Sequence, residues 1–458
     1  MIGIEDALTP HPRLRVAICG AGVAGLTLAA ALSRTSDFDV ALYDAAPELA
    51  RAGPAVGLWP RAWQAANAMG LAHALAPAAI VPPDRLVPVA FDFRRGDRAH
   101  GGAAAPQLVT PGMISFPRQD FQRALLSLVA GSCGLHPGKR LVSFSQRTSA
   151  PEPVQLFFED GSLATCNVLV GADGVDSTVR ACMARAVADE LTAAGEAPAA
   201  QAALHAARAQ WSGTTVYQAT VASDALREKS PEHRVLTTPQ VYLGKDAELT
   251  AYPIARGSRV SIAAFVVRPG SSEEARSDEP HEADAPREEL ALAFGGWEPE
   301  VQALLDCVAS ARRWAVHTTA PLRSFAHRRV VLLGDAAHAM TPYQGAGAGQ
   351  AVEDAYILSA LLTHPATTAH TAERAAAVYD AVRRPEAQRV AEVSREAGQL
   401  YTFNYPDLVP DPESDGEEML QETYERIRRG WEWAWESSAR PDLERAVAML
   451  EGRVPIST

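Results

Sequence analysis

Three clusters of small and acidic residues in this sequence have spacings that suit ligand binding. The first, Gly20-Ala-Gly22-Val-Ala-Gly25, follows an apolar run and opens a stretch rich in alanine and leucine. In that setting Gly20 permits a tight turn, Gly22 lets the backbone approach a pyrophosphate, and Gly25 lets helix and strand pack closely. The amides and dipole of the helix start then hold the negative charge. Asp44 closes the next apolar run, about twenty residues on, where an acid meets the hydroxyls of an adenosine ribose. These residues predict dinucleotide binding without separating a nicotinamide from a flavin dinucleotide.

The second cluster is NVLVGADGVDSTVR, Asn167 to Arg180. An apolar strand runs through Gly171-Ala-Asp173-Gly174 into the polar start of a helix. Asp173 can cap backbone amides, and Gly174 allows a phosphate chain to come close. Read alone, the segment is also a well-capped strand–turn–helix with no ligand. The third cluster, RVVLLGDAAHAMTPYQGAGAGQAVEDAYIL from Arg329 to Leu358, is the most specific. A strand delivers Gly334-Asp335, and Pro342 and Gly345-Ala346-Gly347-Ala348-Gly349 lead into a helix. Small residues at a helix start leave amides facing something flat and electron-rich. Asp335 can hydrogen-bond a polyol.

These clusters need elements that hold them. LRVAICG, VAGLTLAAALSR and DVALYD read as strand, helix and strand, a βαβ unit. Helices are expected near Arg61–Met69 and over about Gln119–Ala130. The Pro-, Gly- and Arg-rich stretch from Pro82 to Pro111 reads as loops or a short hairpin. VQLFFED-GS-LATCNVLVGAD gives two strands around an Asp-Gly turn, and Ala184 to Gln210 is helical. Alternating runs from Val216 to Val267 predict a mostly antiparallel sheet. SSEEARSDEPHEADAPREE, from Ser271, has almost no large apolar residues and reads as an exposed loop. From about Ala372 the chain looks helical to its end, with Trp431, Trp433 and Trp435 in the core of those helices.

The 458 residues suffice for two or three domains, and 47 % hydrophobic against 21 % charged residues is an ordinary globular balance. A net charge of −13 with no Lys/Arg run argues against nucleic acid and against an anionic membrane surface. The segment MIGIEDALTPHPRLR lacks the apolar region of a secretory signal, and no apolar run reaches the roughly 18 residues of a membrane span. Five scattered cysteines without a CxxC pair predict neither a disulfide framework nor a metal site, and a reducing, cytoplasmic setting.

In order and separation the three clusters resemble the single-component flavoprotein aromatic hydroxylases, the para-hydroxybenzoate hydroxylase superfamily. The third cluster and ARRPEAQRVAEVSREAGQLY are most similar to its salicylate-hydroxylase-like branch, and the likeness runs from about Leu14 to Tyr401. It implies an α/β fold: a discontinuous Rossmann-like FAD-binding domain (12–88, 110–183 and 325–371), an interposed, mostly antiparallel β-sheet substrate domain (89–109 and 184–324), and a helical C-terminal region (372–458). It also implies non-covalent FAD, NADH or NADPH as co-substrate, O2, an aromatic small molecule, and a monomer or homodimer. In such enzymes NAD(P)H reduces the flavin, O2 adds to form a C4a-hydroperoxide, and its distal oxygen attacks an electron-rich ring.

Carried over by position, Gly20, Gly22 and Gly25 would meet the pyrophosphate and Asp44 the ribose. Gly57 and Arg118 would approach the flavin. Asp173 and Gly174 would serve both FAD and the nicotinamide. Gly334 and Asp335 would hold the ribityl–phosphate region, and Gly347 and Ala348 the ring edge. The chain departs from the family at Pro60-Arg61, where Pro-Asn is common, at Pro117-Arg118, where His-Arg is common, and at Gln218, where relatives often carry Arg. Ring activation needs an acceptor or base near a substrate hydroxyl. Tyr217, Tyr252, His317 and Tyr343 are the candidates, each also readable as packing, while His338 reads as a structural hydrogen-bonding group. Competing readings are an epoxidase, a flavin dehydrogenase of a natural product, a nicotinamide-only dehydrogenase, and a non-catalytic flavin-fold binding protein.

Overall fold

The computed structural model describes residues 13–456 except 36, 52, 103, 147–151, 269–281 and 409–416. The strand Leu14–Cys19 is buried at every position but Arg15, as a parallel strand covered on both faces must be. It sits inside a six-stranded sheet between Phe38–Asp44 and Val168–Gly171, parallel to both. Val330–Leu332 and Cys133–Pro137 extend the two sides in parallel, and Ala326–His327 closes one edge antiparallel. Ile18 faces the helix Val23–Leu32, which packs with the helices Arg118–Val129 and Gly347–Thr363. An antiparallel sheet of Leu163–Cys166, Val154–Phe158 and Leu141–Ser145 joins the same apolar core.

An eight-stranded sheet forms the second body, in the order Glu282–Ala285, Ala311–Thr319, Ala209–Ala222, Arg259–Val267, Ala247–Ile254, Gln240–Gly244, Val89–Arg95, Leu108–Thr110. All neighbours are antiparallel except Gln240–Gly244 and Val89–Arg95. Side-chain alternation gives the sheet two faces. Tyr217, Tyr242, Leu249 and Ile262 pack under the short helices Ser223–Lys229, Arg287–Ala293 and Pro299–Leu305. Phe93, Val216, Phe265 and Val316 pack against Tyr343, Leu400, Tyr401 and Tyr424. That second face is turned to the third cluster and to the terminal helices Ala372–Tyr401 and Glu417–Glu436.

Three expectations need correction. The Pro82–Pro111 stretch is more than a loop or hairpin: Val89–Arg95 is an interior strand of the large sheet. Its arginines concealed this, because Arg94 is buried through a paired contact with Glu298 at 2.7 Å. In the acidic segment from Ser271, residues up to 281 lie outside the described residues, but Glu282–Ala285 is an edge strand, not a loop. An edge tolerates a charged strand of this kind, and Arg312 pairs with Glu282 across it at 2.7 Å. Nor are the three tryptophans core within the terminal helices. All three are half-buried, with Trp431 edge-on to Trp59 (5.3 Å) and Phe91 (6.2 Å), and Trp435 against Trp59 (5.6 Å).

Candidate active site

The three clusters meet at the ends of the parallel strands. Gly20 has φ +110, and a Cβ there would lie 2.1 Å from the carbonyl oxygen of Ala172, so only glycine lets the first cluster touch the second. A Cβ on Gly25 would lie 1.9 Å from the carbonyl oxygen of Gly20, which fixes the turn against its helix. Gly334 stands against Ala24, which brings the third cluster to the same place. Asp44 is buried at the end of its strand, accepting from the amides of Ala21 (2.7 Å) and Ala46 (2.8 Å). It therefore braces the glycine turn.

Asp173 turns its carboxylate onto its own helix, accepting from Ser177 Oγ at 2.5 Å and the Val179 amide at 3.1 Å. Burial pushes this carboxyl up from its ordinary range. The open side of the turn is the backbone of Gly174, at φ +83 with nothing within 4 Å of a Cβ. Arg180, fully buried, donates to the carbonyls of Ala207 (2.8 Å) and Ala336 (3.0 Å) and so fastens the second cluster to the third. The sequence places it at the end of the motif with no sign of this role.

Gly57 lies on the strand Val56–Leu58, which pairs with Ile114–Phe116 just before Arg118. Arg118 lies along Gly53, where a Cβ would come within 2.7 Å of its Cδ. Met113 fills the space between Gly57 and Gly345. Asp335 is exposed between buried neighbours, and its carboxylate stands 4.0 Å from where a Cβ on Gly347 would be. The helices Val23–Leu32 and Gly347–Thr363 both start without a side-chain cap or a first-turn acid. Ala348 lies in the first turn of the second. Uncapped amides, open glycine backbone and one exposed carboxylate on a shared edge fit a dinucleotide with a polyol linker.

A matching family model settles the ligand: it covers residues 13–394 and is described as an FAD binding domain. The chain belongs to this family of FAD-dependent hydroxylases. It is 34 % identical over 448 residues to a salicylate hydroxylase of Pseudomonas putida, covering 95 % of both chains. It is 33 % identical over 468 residues to an FAD-dependent monooxygenase of Strobilurus tenacellus, covering 96 % of this chain and 99 % of the relative. Among solved structures, a salicylate hydroxylase substrate complex superposes with a TM-score of 0.79 at 32 % identity, over 96 % of this chain and 98 % of that one. The flavoprotein is thus an FAD-dependent monooxygenase with a nicotinamide co-substrate.

The four ring-activation candidates do not converge. Tyr217 lies on the sheet face away from the flavin cluster, where its hydroxyl donates to Glu289 at 3.1 Å beside Arg313. His317 pairs in register with Trp211, beyond a bulge in the neighbouring strand, and meets the Ala315 carbonyl at 3.2 Å. Tyr252 is 38 % exposed. Tyr343 stands at the flavin cluster, stacked on Phe265 at 4.8 Å and 30°. Gln218 alternates to that cluster-facing side with Val216 and is half-buried.

Beneath the third cluster lies an ionic network that sequence reasoning missed. Asp354 accepts from the Gly334 amide (2.9 Å), His338 Nε2 (2.6 Å) and Arg383 Nε (2.9 Å). Burial opposes its charge, yet His338 and Arg383 hold its carboxyl well below the usual range. His338 is therefore structural. Glu353 bridges Arg383 (3.3 Å) to Arg61 (3.0 Å), which also pairs with Asp442 at 3.0 Å. The departure at Arg61 thus has its partners within this chain.

Proposed function

We propose that the flavoprotein hydroxylates a phenolic or hydroxybenzoate-like ring held alongside the junction of the Pro342–Gly349 loop with the facing side of the eight-stranded sheet. The observation that carries this is the aromatic wall at that place: Tyr343 on Phe265, and Tyr343 edge-on to Tyr401 at 5.8 Å. Flat, apolar side chains suit a planar ring. FAD, when bound, would supply the redox chemistry, accepting two electrons from NAD(P)H and passing them to O2 so that one oxygen atom can be transferred. The glycine turn braced by Asp44 seats the pyrophosphate, Gly174 gives it a close backbone, and Asp335 takes ribityl hydroxyls. Gly57, Arg118, Gly347 and Ala348 border the ring system. The sheet and terminal helices exclude water from above it.

On this reading residues 12–88, 110–183 and 325–371 carry the cofactor, 89–109 and 184–324 the substrate, and 372–458 close the site. The charge of −13 supports small-molecule partners over nucleic acid or an anionic membrane. No helix among the described residues is long and apolar enough to cross a membrane. The test is NAD(P)H oxidation triggered by a series of phenolic acids. A several-fold stimulation with a hydroxylated product supports the reading, and oxidation indifferent to every ring opposes it.

A further inference from the structure

Glu248 has no role in anything described so far. It lies on the strand Ala247–Ile254, opposite Phe265 in register, on the face turned to the third cluster. It is 1 % exposed. Its Oε2 accepts a hydrogen bond from the hydroxyl of Thr250 at 3.1 Å. No arginine or lysine among the described residues pairs with it, in contrast to Glu298 and Glu353. Burying a carboxyl without a cation is costly and rarely retained by packing alone.

The titratable groups facing it are Tyr343, from the cofactor loop, and Tyr401, from the helix Ala372–Tyr401. Burial and then the Glu248 charge push both phenols up. Thr214 stands beside the Tyr343 hydroxyl and the Trp431 indole N–H beside that of Tyr401, but neither contact reaches good hydrogen-bond geometry, so all three polar groups are buried without a well-formed partner. One carboxyl, two hydroxyls and an indole donor thus stand incompletely paired at one place within the aromatic wall. A buried polar atom left unpaired costs about 1–3 kcal/mol. A ligand bearing a polar substituent on a flat ring would satisfy them together.

Resting on the hydroxylation reading, we propose that Glu248 is the acceptor for the substrate's ring hydroxyl, with Tyr343 and Tyr401 beside it. The phenolic O–H bond breaks, the proton passes to a Glu248 carboxylate oxygen, and the bonding pair stays on the ring oxygen. From there it raises electron density at the ortho and para carbons. The substrate class is then a phenol whose hydroxyl points toward the sheet, at Glu248. Burial raises the Glu248 carboxyl to about 8, with Thr250 opposing, which suits a base working near neutral pH.

The test uses the FAD-loaded full-length protein with 2-hydroxybenzoate as probe, following hydroxylated product against pH. Wild type is expected to gain rate through a midpoint near 8. Glu248→Gln, nearly isosteric, should lose the midpoint and about 10²–10⁴-fold in rate, with KM changed far less than kcat. Thr250→Val removes the donor that favours the carboxylate, so its midpoint should move to higher pH while the protein stays folded. That shift keeps the assignment testable should Glu248→Gln fail to hold flavin. If wild type makes product but neither variant alters rate or midpoint, Glu248 is not the acceptor and the hydroxylation reading stands. If wild type puts no oxygen into this or any other phenolic acid, the reading fails and the assignment falls with it.

Discussion

At Asp335 the chain exposes a carboxylate among buried neighbours, facing the start of the helix Gly347–Thr363. Removing a charged hydrogen bond to a held ligand costs about 1.5–3 kcal/mol, roughly ten- to hundredfold in affinity. Asp335→Ala should weaken FAD binding by that factor in a titration of the apoprotein, with its melting temperature without FAD unchanged. Unaltered affinity would remove Asp335 from the cofactor site. Glu248 gives a second prediction. Its folded pKa of about 8 lies above the ordinary 4.5, so between those values the unfolded chain has released a proton that the native state keeps. Stability should therefore fall as pH rises across that window, by up to about 1.4 kcal/mol per unit from this group. Glu248→Gln should flatten that part of the stability–pH curve, and an unchanged slope would mean that the carboxyl is not shifted. The glycines of the first cluster were legible because their constraint is local to the turn. Glu248 was not, since glutamate is usually exposed and strand alternation alone does not say which face is covered.

The helix Gly347–Thr363 is held from below by charge. Asp354 and Glu353 meet Arg383 from the helix Ala372–Tyr401, and Arg61 from Pro60–Ala68 extends the network to Asp442 on Arg440–Leu450. Removing one partner of a buried pair costs about 3–5 kcal/mol, because the other charge is left stranded. Arg383→Met should lower stability by that amount in urea unfolding. It should also loosen the cofactor loop, because Asp354 holds the Gly334 amide. A loss under about 1 kcal/mol would show that the network is not a clamp. Helix–strand order was readable wherever apolar period and glycine punctuation agreed, as in Leu14–Asp44 and Arg329–Leu358. It failed at Val89–Arg95 and Glu282–Ala285, where pairing with distant strands makes charged segments into sheet. No local signal carries that information.

Across the whole molecule, the parallel sheet presents the cofactor clusters and the large antiparallel sheet covers them with an aromatic face. The terminal helices tie the two together through Trp431 and Trp435 on Trp59 and through Tyr424, which donates to the Gln107 carbonyl at 3.1 Å. The division into a cofactor body and an interposed sheet was implied by the family resemblance that the three clusters carry, and the alternating runs from Val216 to Val267 showed the sheet itself. The face on which each candidate side chain would lie was not, and Tyr217 turned away for that reason. The central claim is that this enclosure directs one atom of O2 into an aromatic ring at the expense of NAD(P)H. Turnover of the stimulating phenolic acid under isotopically labelled O2, read by product mass, tests it most directly. The account predicts one labelled oxygen atom in the organic product per productive turnover. A product that carries no label and has only lost hydrogen would contradict it.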